Sequence, residues 1–440
     1  MRRSGLRLAL LSAAAGIALG GSVAGGTTSI AASELRTLRR PHDPVVVPTS
    51  RLAALSTRDT AALRLYRIAE GQPIPIPVQF DPCDPRGEVR VGGPLDFVFD
   101  DDDQMVFMAE DAGDRLPMPR RPASWEEALE LEIVDPRASA PGRAWVYLVR
   151  VPRDAPAQPF APYVTFDETG QVAQAPHYQV EYAPARNYFT GVRIRRWVDG
   201  QLARLARRTR MRGSPTFALP FRDLTLDFTE QNAIVVLDGL RIGPVRAVRR
   251  ARLSVELGRF FPDLPGGTAY TYHYRSAYLT PSRVGFSWLV LKALRDFHFE
   301  NLVEFTPEAM PLRYFDSTRP EGVTMEAGRS TELRTTDDVE WWVHASDAGA
   351  MLHAFVIPPR WREWGITRGT VVRAETDPQE HSAILVAGYT LQHMTRLQEA
   401  GTFDLLLASI VLPRPFQPGD EEEALAMLRA PLEVTIRPLP

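Results

Sequence analysis

Four consecutive aspartates, Asp100 to Asp103, interrupt the stretch FVFDDDDQMVFMAEDAGDR, residues 97–115. Carboxylates at this density could bind calcium, act as catalytic acids and bases, or form an exposed turn. A calcium loop starting at Asp100 would use Asp102 as its next ligand, but Met105 stands where the sharp turn needs glycine. Because adjacent carboxylates repel each other and are costly to bury, we predict an exposed hairpin tip. Calcium binding at Asp100 and Asp102 is the alternative.

Arginine recurs on one predicted strand, PVRAVRRARLSVEL. The alternation of side chains places Arg246, Arg250 and Arg252 on one face, opposite a mainly apolar face. Three guanidinium groups in a row could hold carboxylate or sulfate groups through forked hydrogen bonds. The alternative is a solvated face that acids on neighbouring strands neutralise.

A row of tyrosines follows in the segment AYTYHYRSAY. Tyr272 alternates there with His273 and Arg275, so the two sets face opposite sides of a strand. If FFPDLPGG is the connecting turn, one of these sets shares a face with the arginines. Tyrosines can stack on sugars or pack a sandwich core, and the sequence leaves both alternatives open.

Tryptophan is concentrated between residues 341 and 364, which hold four of the eight tryptophans. Trp341 and Trp342 are adjacent, so on a strand they point to opposite faces. We expect one of them in the core and the other exposed as a platform for sugar rings. Packing of both in a core or an interface is the alternative.

Motifs of common enzymes are missing from the sequence. It contains no G-x-S-x-G elbow, no phosphate-binding loop of the G-x-x-x-x-G-K-[ST] type, no G-x-G-x-x-G and no H-E-x-x-H. His344 and His353 are close in sequence, but nine residues apart is not a recognised zinc spacing. The sequence therefore leaves open whether the protein is an enzyme. It predicts no cofactor besides the calcium alternative.

Short apolar runs between turn signals predict a mostly β chain with a few short helices. Hairpin turns are predicted at DETG and LDGL. Helices are predicted in SWEEALELE, where Ser124 and Glu127 have capping-box spacing, in VDGQLARLARRTRM, and in GDEEEALAMLRA. The arginines of the second predicted helix are interpreted as a solvated face.

The order of these segments predicts two folded units. Residues 33–60 form an extended lead-in and residues 61–155 a small N-terminal β-domain. A large antiparallel β-sandwich fills residues 160–440, because long strands with one polar face suit two packed sheets.

The first residues predict export. Arg2, Arg3 and Arg7 precede the uncharged run LALLSAAAGIALGG, and small residues allow cleavage after Ala24 or Ala32. A basic start, an apolar run and a small-residue exit define a signal peptide, here residues 1–32. We expect a periplasmic or extracellular protein, and no later stretch has the roughly 18 apolar residues of a membrane span.

Composition narrows the classes further. The net charge of −3 over 440 residues argues against a nucleic-acid-binding protein. Thirty-eight prolines favour loops and short strands over long helices. Cys83 is the single cysteine, so no disulfide can form within the chain and the core must provide the stability.

Two groups of segments resemble known proteins. LRLYRIAEGQPIPIPVQFD followed by DQMVFMAEDAGDR resembles a pattern in uncharacterised exported bacterial β-proteins, in which a small β-domain precedes a larger sandwich. GPVRAVRRARLSVEL, YTYHYRSAY and EWWVHASDAGAMLHAF are similar to large galactose-mutarotase-like β-sandwiches. That architecture occurs in carbohydrate-active lyases and hydrolases. The resemblance covers about a quarter of the chain and assigns no catalytic residue.

Two hypotheses about function follow. In the first, the large sandwich recognises or processes an anionic glycan in a groove lined by arginine and aromatic side chains. In the second, the protein is a non-catalytic structural or assembly protein of the periplasm or cell surface, since strand edges can pair with other chains. The oligomeric state is left open.

Overall fold

The computed structural model of the chain describes residues 34–117, 121–137, 141–156, 158–167, 169, 171–183, 189–256, 264–326, 332–347, 349–377, 381–412 and 414–440. The predicted signal peptide, residues 1–32, lies outside these residues. So do parts of the predicted turns at DETG and FFPDLPGG. The described residues form mostly antiparallel β structure with a few short helices, which confirms the predicted fold class.

The strands in chain order are β1 (Pro44–Pro48), β2 (Leu63–Ala69), β3 (Gln72–Ile76), β4 (Gln79–Asp81), β5 (Gln104–Met108), β6 (Glu127–Val134), β7 (Arg143–Arg150), β8 (Thr165–Phe166), β9 (Val172–Gln174), β10 (Tyr178–Tyr182), β11 (Phe189–Arg195), β12 (Leu202–Ala218), β13 (Asp223–Thr225), β14 (Phe228–Thr229), β15 (Ala233–Ile242), β16 (Ala247–Val255), β17 (Leu264–His273), β18 (Ala277–Phe286), β19 (Leu294–Phe305), β20 (Leu312–Asp316), β21 (Arg319–Met325), β22 (Leu333–Thr335), β23 (Trp341–Ser346), β24 (Gly349–Val356), β25 (Thr367–Thr376), β26 (Ala383–Gln392), β27 (Gly401–Leu412) and β28 (Glu433–Pro438). The α-helices are α1 (Trp288–Ala293), α2 (Pro359–Glu363), α3 (Asp420–Ala424) and α4 (Ala426–Arg429). Single 3-10 turns occupy Thr49–Leu52, Thr60–Ala62, Ala109–Asp111, Pro307–Ala309 and Met394–Arg396.

Two small sheets form the N-terminal part. One has the order β1-β5-β4 and the other the order β28-β6-β7-β2-β3. Their shared core contains Val47, Leu65, Phe107, Leu131 and Val146. The last described strand, β28, pairs with β6, so a segment near residue 435 completes one of these sheets. The predicted domain division near residue 160 stays a prediction.

Two large sheets pack face to face and form the sandwich. The larger has eleven strands, with the main order β22-β25-β26-β19-β12-β11-β10-β9-β8, and β13 and β14 pair with β12. The smaller has nine strands in the order β15-β16-β17-β18-β27-β24-β23-β20-β21. Buried side chains from both sheets meet in one core. We call the facing sides of these two sheets their inner faces.

The helix predicted in SWEEALELE is wrong, because this segment forms most of β6. Leu129, Leu131 and Ile133 alternate with Glu130 and Glu132, and this period of two fits a strand. The capping-box spacing at Ser124 was a local coincidence that the pairing of β6 with β7 overrides.

The helix predicted in VDGQLARLARRTRM is also wrong, since the segment belongs to the long strand β12. A bulge between Ala206 and Arg208 places Arg207 and Arg208 together on the outer face. Both guanidinium groups pair there with Glu304 of β19. Pairing across strands therefore overrides the local helical spacing of apolar residues.

Two further predictions have different outcomes. LDGL is not a hairpin turn, because Asp238 and Gly239 lie inside β15 at a bulge. A side chain at Gly239 would collide with Val91, so the close approach of another segment explains this glycine. The helix predicted in GDEEEALAMLRA is confirmed as α3 and α4.

Candidate functional site

The three arginines predicted to form an anion-binding row do not form one surface. Arg246 is buried, and its Nε lies 2.8 Å from an Asp81 carboxylate oxygen. Arg250 and Arg252 lie further along the same face and share Asp238, at 3.3 and 3.5 Å. Arg246 thus belongs to a buried cluster, whereas Arg250 and Arg252 form partly exposed ion pairs.

Arg246 belongs to a buried cluster that joins the three-stranded sheet to the nine-stranded sheet. Asp81 accepts hydrogen bonds from Nε of Arg241 and Nε of Arg246, each at 2.8 Å. Gln79 Nε2 donates to both oxygens of the same carboxylate, and Gln79 Oε1 accepts from the backbone N–H groups of Val245 and Arg246. Because both oxygens of Asp81 are paired, we interpret this cluster as structural.

The sequence predicts that one of the two sets on this strand shares a face with the arginines. The structure shows that it is the tyrosine row. The Arg246 guanidinium lies 4.9 Å from the Tyr272 ring centre, and Tyr272 stacks on Tyr270 at 6.0 Å. Cys83 and Val89 of the N-terminal part pack against Tyr270 in one apolar cluster. This tyrosine row therefore packs between parts of the protein.

His273 and Arg275 are both engaged within the protein. His273 lies buried on the inner face, where its Nδ1 is 3.2 Å from the Tyr178 hydroxyl and its Nε2 is 2.8 Å from the Tyr182 hydroxyl. Arg275 pairs with Glu110 at 3.2 Å. Neither residue is among the side chains that line the cavity described below.

The aspartate run forms a turn, as predicted, but it is not a hairpin tip, because β5 pairs with β1 and β4 and not with the segment before the turn. Not all of the run is exposed. Asp100, Asp101 and Asp102 are exposed, whereas Asp103 is buried. Asp103 accepts from the backbone N–H groups of Cys83 and Asp100, at 2.8 and 2.9 Å. The described part of the chain holds no group of three or more His, Cys, Asp or Glu side chains arranged to bind a metal. Calcium at Asp100 and Asp102 stays a prediction.

Trp341 and Trp342 point to opposite faces of β23, as predicted, but neither is exposed. Trp341 packs against Phe416, with 6.1 Å between ring centres. Trp342 lies on the inner face and stacks on His353, with ring centres 5.3 Å apart. Both faces of β23 are covered, so the expectation of an exposed sugar platform is wrong.

A cavity of about 440 Å³ lies between the inner faces of the two large sheets. This volume is in the range of about 300–1,000 Å³ that is typical of small-molecule sites. Most of its wall is apolar. The apolar lining residues include Val180, Phe189, Leu205, Val235, Leu253, Val284, Phe286, Phe297, Phe299, Val303, Phe305, Met351, Phe355, Leu391, Leu405 and Leu407.

The cavity extends across several strands. Its lining includes Arg249 on β16 and Trp342 on β23, and these strands are five positions apart in the sheet. Five strand spacings correspond to about 24 Å. The lining also extends along the strands, from Ser409 on β27 to Trp361 beside Phe403, so the cavity is a thin gap spread between the two sheets, and we call it the slot.

The two ends of the slot differ in exposure. At the β23 end, Trp342, His344 and His353 are buried, and we call this the closed end. At the β15 end, the lining residues Val235 and Leu253 are part-exposed, and we call this the open end. The β15 end is thus the more exposed of the two ends, and part-exposed lining residues such as Val284 and Leu405 continue along β18 and β27.

A row of polar side chains crosses the inner face toward the closed end. The strand register places Tyr278, Ser409, His353 and Trp342 side by side on four neighbouring strands. Within this row, His353 Nδ1 lies 2.9 Å from the Ser409 hydroxyl. His344 lies on the same strand as Trp342, two residues further on, and its ring meets the His353 ring edge-on at 5.2 Å.

Burial keeps the slot's histidines neutral. Desolvation lowers the pKa of His353 to about 3. It also lowers the pKa of His344 well below its usual range, with a further contribution from His353. The slot therefore has two neutral imidazoles at its closed end.

Two ring nitrogens at the closed end are unsatisfied. Trp342 Nε1 and His344 Nε2 are buried and have no hydrogen-bond partner among the described residues. A buried donor or acceptor without a partner costs about 1–3 kcal/mol. Such groups beside a cavity are candidates for contacts with a ligand.

Arg249 is the positive charge of the slot. Among the described lining residues, Arg249 and Glu230 carry formal charges at neutral pH. Arg249 is buried, and its guanidinium lies 3.7 Å from the Tyr182 ring centre. Desolvation lowers the pKa of Arg249, and Tyr182 opposes this effect.

Sequence reasoning missed Arg249, although a signal was present. Arg249 lies between Ala247 and Ala251 on the apolar face of the arginine-rich strand. An arginine at an inward position of an otherwise apolar alternation is unusual, because burying a charge is costly. This irregularity could have identified the slot residue.

The geometry of the slot favours binding over acid–base catalysis. A general base works best when its pKa is near the working pH, and a histidine with a pKa of about 3 is a weak base. The wall combines a large apolar area with a few polar groups that orient a ligand, as small-molecule sites do.

None of the helices in the described part of the chain has the length and apolarity that crossing a bilayer requires.

Comparisons with known proteins give only distant similarity. No family model and no curated protein matches the sequence. Among solved structures, a glycosyl hydrolase family 38 protein from Enterococcus faecalis is similar at 12% identity and a TM-score of 0.39. An alpha-mannosidase from the same organism is similar at 12% identity and a TM-score of 0.36. The matches cover 92% and 93% of this chain but 47% and 44% of those chains, so this chain spans less than half of their length.

Proposed function

We propose that the protein binds a long-chain amphiphile, an unbranched apolar molecule with an acidic group, in the slot. The observation that carries this proposal is the apolar cavity of about 440 Å³ between the two sheets. Transfer of an apolar chain from water into such a wall contributes about 0.8 kcal/mol for each buried CH₂ group. A thin gap between two sheets favours a flexible apolar chain over a compact molecule.

The acidic group would lie beside Arg249. This guanidinium is on β16, next to the open end, while the closed end has neutral histidines. An acid entering last would meet the arginine after the chain has filled the apolar part. Hydrogen bonds between a guanidinium and a carboxylate are stronger than neutral ones, so Arg249 would fix the direction of the ligand.

The predicted signal peptide, which lies outside the described residues, suggests where this binding takes place. A protein exported to the periplasm or the cell surface would bind the amphiphile outside the cytoplasm. This location is part of the proposal. Replacing residues 1–32 by a chain start at Ser33 would test it, because the secreted or periplasmic fraction should disappear.

The binding test uses hexadecanoate and isothermal titration calorimetry. We expect saturable binding to the wild type and at least about tenfold weaker binding to Ala269→Phe, since the new ring fills the slot. Ala383→Phe places the same ring on an exposed residue outside the slot lining and serves as the control. Equal affinity of all three proteins, or no binding to the wild type, would contradict the proposal.

Recognition of an anionic glycan is the second candidate function. The outer face of the eleven-stranded sheet carries several part-exposed arginines, among them Arg193, Arg204 and Arg212. Each of these pairs with a carboxylate, Glu181 or Glu375, so a glycan would compete with existing ion pairs. A glycan array with uronate and sulfated polymers tests this function, and Arg204→Ala with Arg212→Ala should lower any signal.

A non-catalytic assembly role is the remaining alternative from the sequence. A pull-down from the native cell envelope would support it if a defined partner is recovered with the wild type. Specific loss of that partner on masking an exposed strand edge would strengthen it, whereas turnover of a glycan would exclude a purely structural role.

A further inference from the structure

The closed end of the slot contains a second polar site, separate from Arg249. Trp342 and His344 occupy neighbouring inward positions of β23, and only 3% and 1% of their surfaces are exposed. Trp342 Nε1 and His344 Nε2 have no hydrogen-bond partner among the described residues, although both side chains line the slot. Two unsatisfied nitrogens on one wall of a cavity indicate a place for a polar group of the ligand.

The chemistry of these nitrogens determines which group fits. An indole N–H only donates, so Trp342 needs an acceptor. Burial and the neighbouring His353 keep His344 neutral, so its Nε2 can donate or accept according to the tautomer. The charged lining residues of the described chain, Arg249 and Glu230, belong to other strands and segments. The matching group is therefore an uncharged oxygen.

We propose that the closed end binds a hydroxyl or carbonyl oxygen at the far end of the ligand's chain. The ligand class is then an ω-oxygenated long-chain carboxylic acid, with its acid beside Arg249 and its second oxygen beside Trp342 and His344. This inference rests on the proposed function and specifies its ligand. An unsubstituted chain would fill the same slot but leave both nitrogens unsatisfied.

A hydroxyl group suits this position in both directions. Its oxygen accepts from Trp342 Nε1, and its proton is available to His344 Nε2 in the tautomer that accepts. A carboxylate at this end would instead bring an unpaired charge among buried neutral groups, which is strongly disfavoured. The site therefore selects against a diacid as well as against a plain chain.

Trp361 provides a matched control. Its Nε1 is also buried without a hydrogen-bond partner in the described part of the chain, and it also lines the slot. Its ring, however, packs against Phe403 at 5.3 Å. Phe403 is six residues from Ser409 along β27, which corresponds to about 20 Å. Trp361 is thus far from the closed end.

The experiment compares the affinities of ω-hydroxyhexadecanoate and hexadecanoate for the full chain by calorimetry. We expect the hydroxy acid to bind the wild type at least about fivefold more tightly. Trp342→Phe should reduce this ratio to about one, because the N–H donor is lost. The readout is the ratio of the two affinities, since the smaller ring changes the slot wall for both acids alike. Trp361→Phe should keep the ratio. His344→Phe is the second test variant, in case Trp342→Phe does not fold.

The outcomes separate the two proposals. If neither acid binds the wild type, the proposed function fails and this inference fails with it. If both acids bind equally well, amphiphile binding stands and the second polar site is wrong. A preference that survives both Trp342→Phe and His344→Phe, or that Trp361→Phe removes, would also overturn the assignment to the closed end.

Discussion

The Asp81 cluster and the closed end of the slot, on opposite faces of the nine-stranded sheet, differ in how their buried polar groups are paired. On the outer face, Asp81 pairs with Arg241 and Arg246, and Gln79 donates to both oxygens of the same carboxylate. On the inner face, the closed end of the slot keeps nitrogens without partners among the described residues. Complete pairing indicates a structural cluster, whereas incomplete pairing beside a cavity indicates a ligand site. This difference in pairing is why we propose the slot, and not the Asp81 cluster, as the ligand site.

The largest expected effect is the loss of the Asp81 charge. Asp81→Asn keeps the shape of the side chain but leaves Arg241 and Arg246 buried beside a neutral partner. Removal of one partner from a buried ion pair costs about 3–5 kcal/mol. We expect a destabilisation of this size in urea-induced unfolding.

His344→Phe is the matched variant on the other face. It keeps a ring of similar size and removes a nitrogen that has no partner in the described structure. The free energy of unfolding should change by less than about 1 kcal/mol, because no hydrogen bond is lost. Equal destabilisation by Asp81→Asn and His344→Phe would show that the closed end stabilises the fold as much as the Asp81 cluster does.

The pH dependence of stability gives the second prediction. Burial lowers the pKa of His273 to about 3, from an ordinary value of 6.5. Between pH 6.5 and pH 3, His273 is protonated in the unfolded chain but neutral in the folded chain. The free energy of unfolding therefore falls as the pH decreases from 6.5 toward 3. The loss is about 1.4 kcal/mol per pH unit, and therefore about 2 kcal/mol at pH 5.

His273→Gln isolates this contribution from that of the carboxylates. Glutamine does not titrate, so the variant should lose about 2 kcal/mol less than the wild type between pH 7 and pH 5. The variant will be less stable at pH 7, since two tyrosine hydroxyls contact His273. Thermal melts at both pH values check the difference, and parallel curves for the two proteins would contradict it.

The sequence predicted the β-sandwich because alternation is a local property. Leu253, Val255 and their neighbours show it directly, and the two large sheets follow. Local spacing predicted a helix for β12, although pairing with a distant strand makes this segment a strand. Its arginines pair with Glu304, about ninety-five residues later. Local signals also could not show that β28 joins an N-terminal sheet.

The candidate site was harder to predict than the fold. The slot exists because Arg249 on β16 and the pair Trp342 and His344 on β23, two distant segments of the sequence, meet on one inner face. The sequence identified Trp342 and the pair His344 and His353 as unusual, but not their side of the sheet. It placed the interest in Arg246, whose partner Asp81 is 165 residues away. Spacing along the chain cannot show which polar groups find partners after folding.

The smallest effects are expected in the aspartate turn, where two kinds of carboxylate lie side by side. Asp101 and Asp102 are exposed. Asp101 pairs with Arg58, and the side chains of Asp101 and Arg58 are each about half exposed or more. Replacing both aspartates by asparagine should change stability by no more than about 0.5 kcal/mol, the usual range for surface positions. Asp103→Ala should cost about 1–3 kcal/mol, because the N–H groups of Cys83 and Asp100 lose their acceptor.

Calcium would reverse the expected result for the exposed pair. If Asp100 and Asp102 bind the ion, a chelator should lower the melting temperature of the wild type, and millimolar calcium should restore it. The double variant Asp101→Asn with Asp102→Asn should then lose this response. We expect no response in either protein, because Asp100 and Asp102 are joined by a hydrogen bond from the Asp102 N–H to the Asp100 carboxylate, as in an ordinary turn. A calcium-dependent shift in the wild type that the double variant lacks would make this turn a second ligand site, on a surface far less buried than the slot.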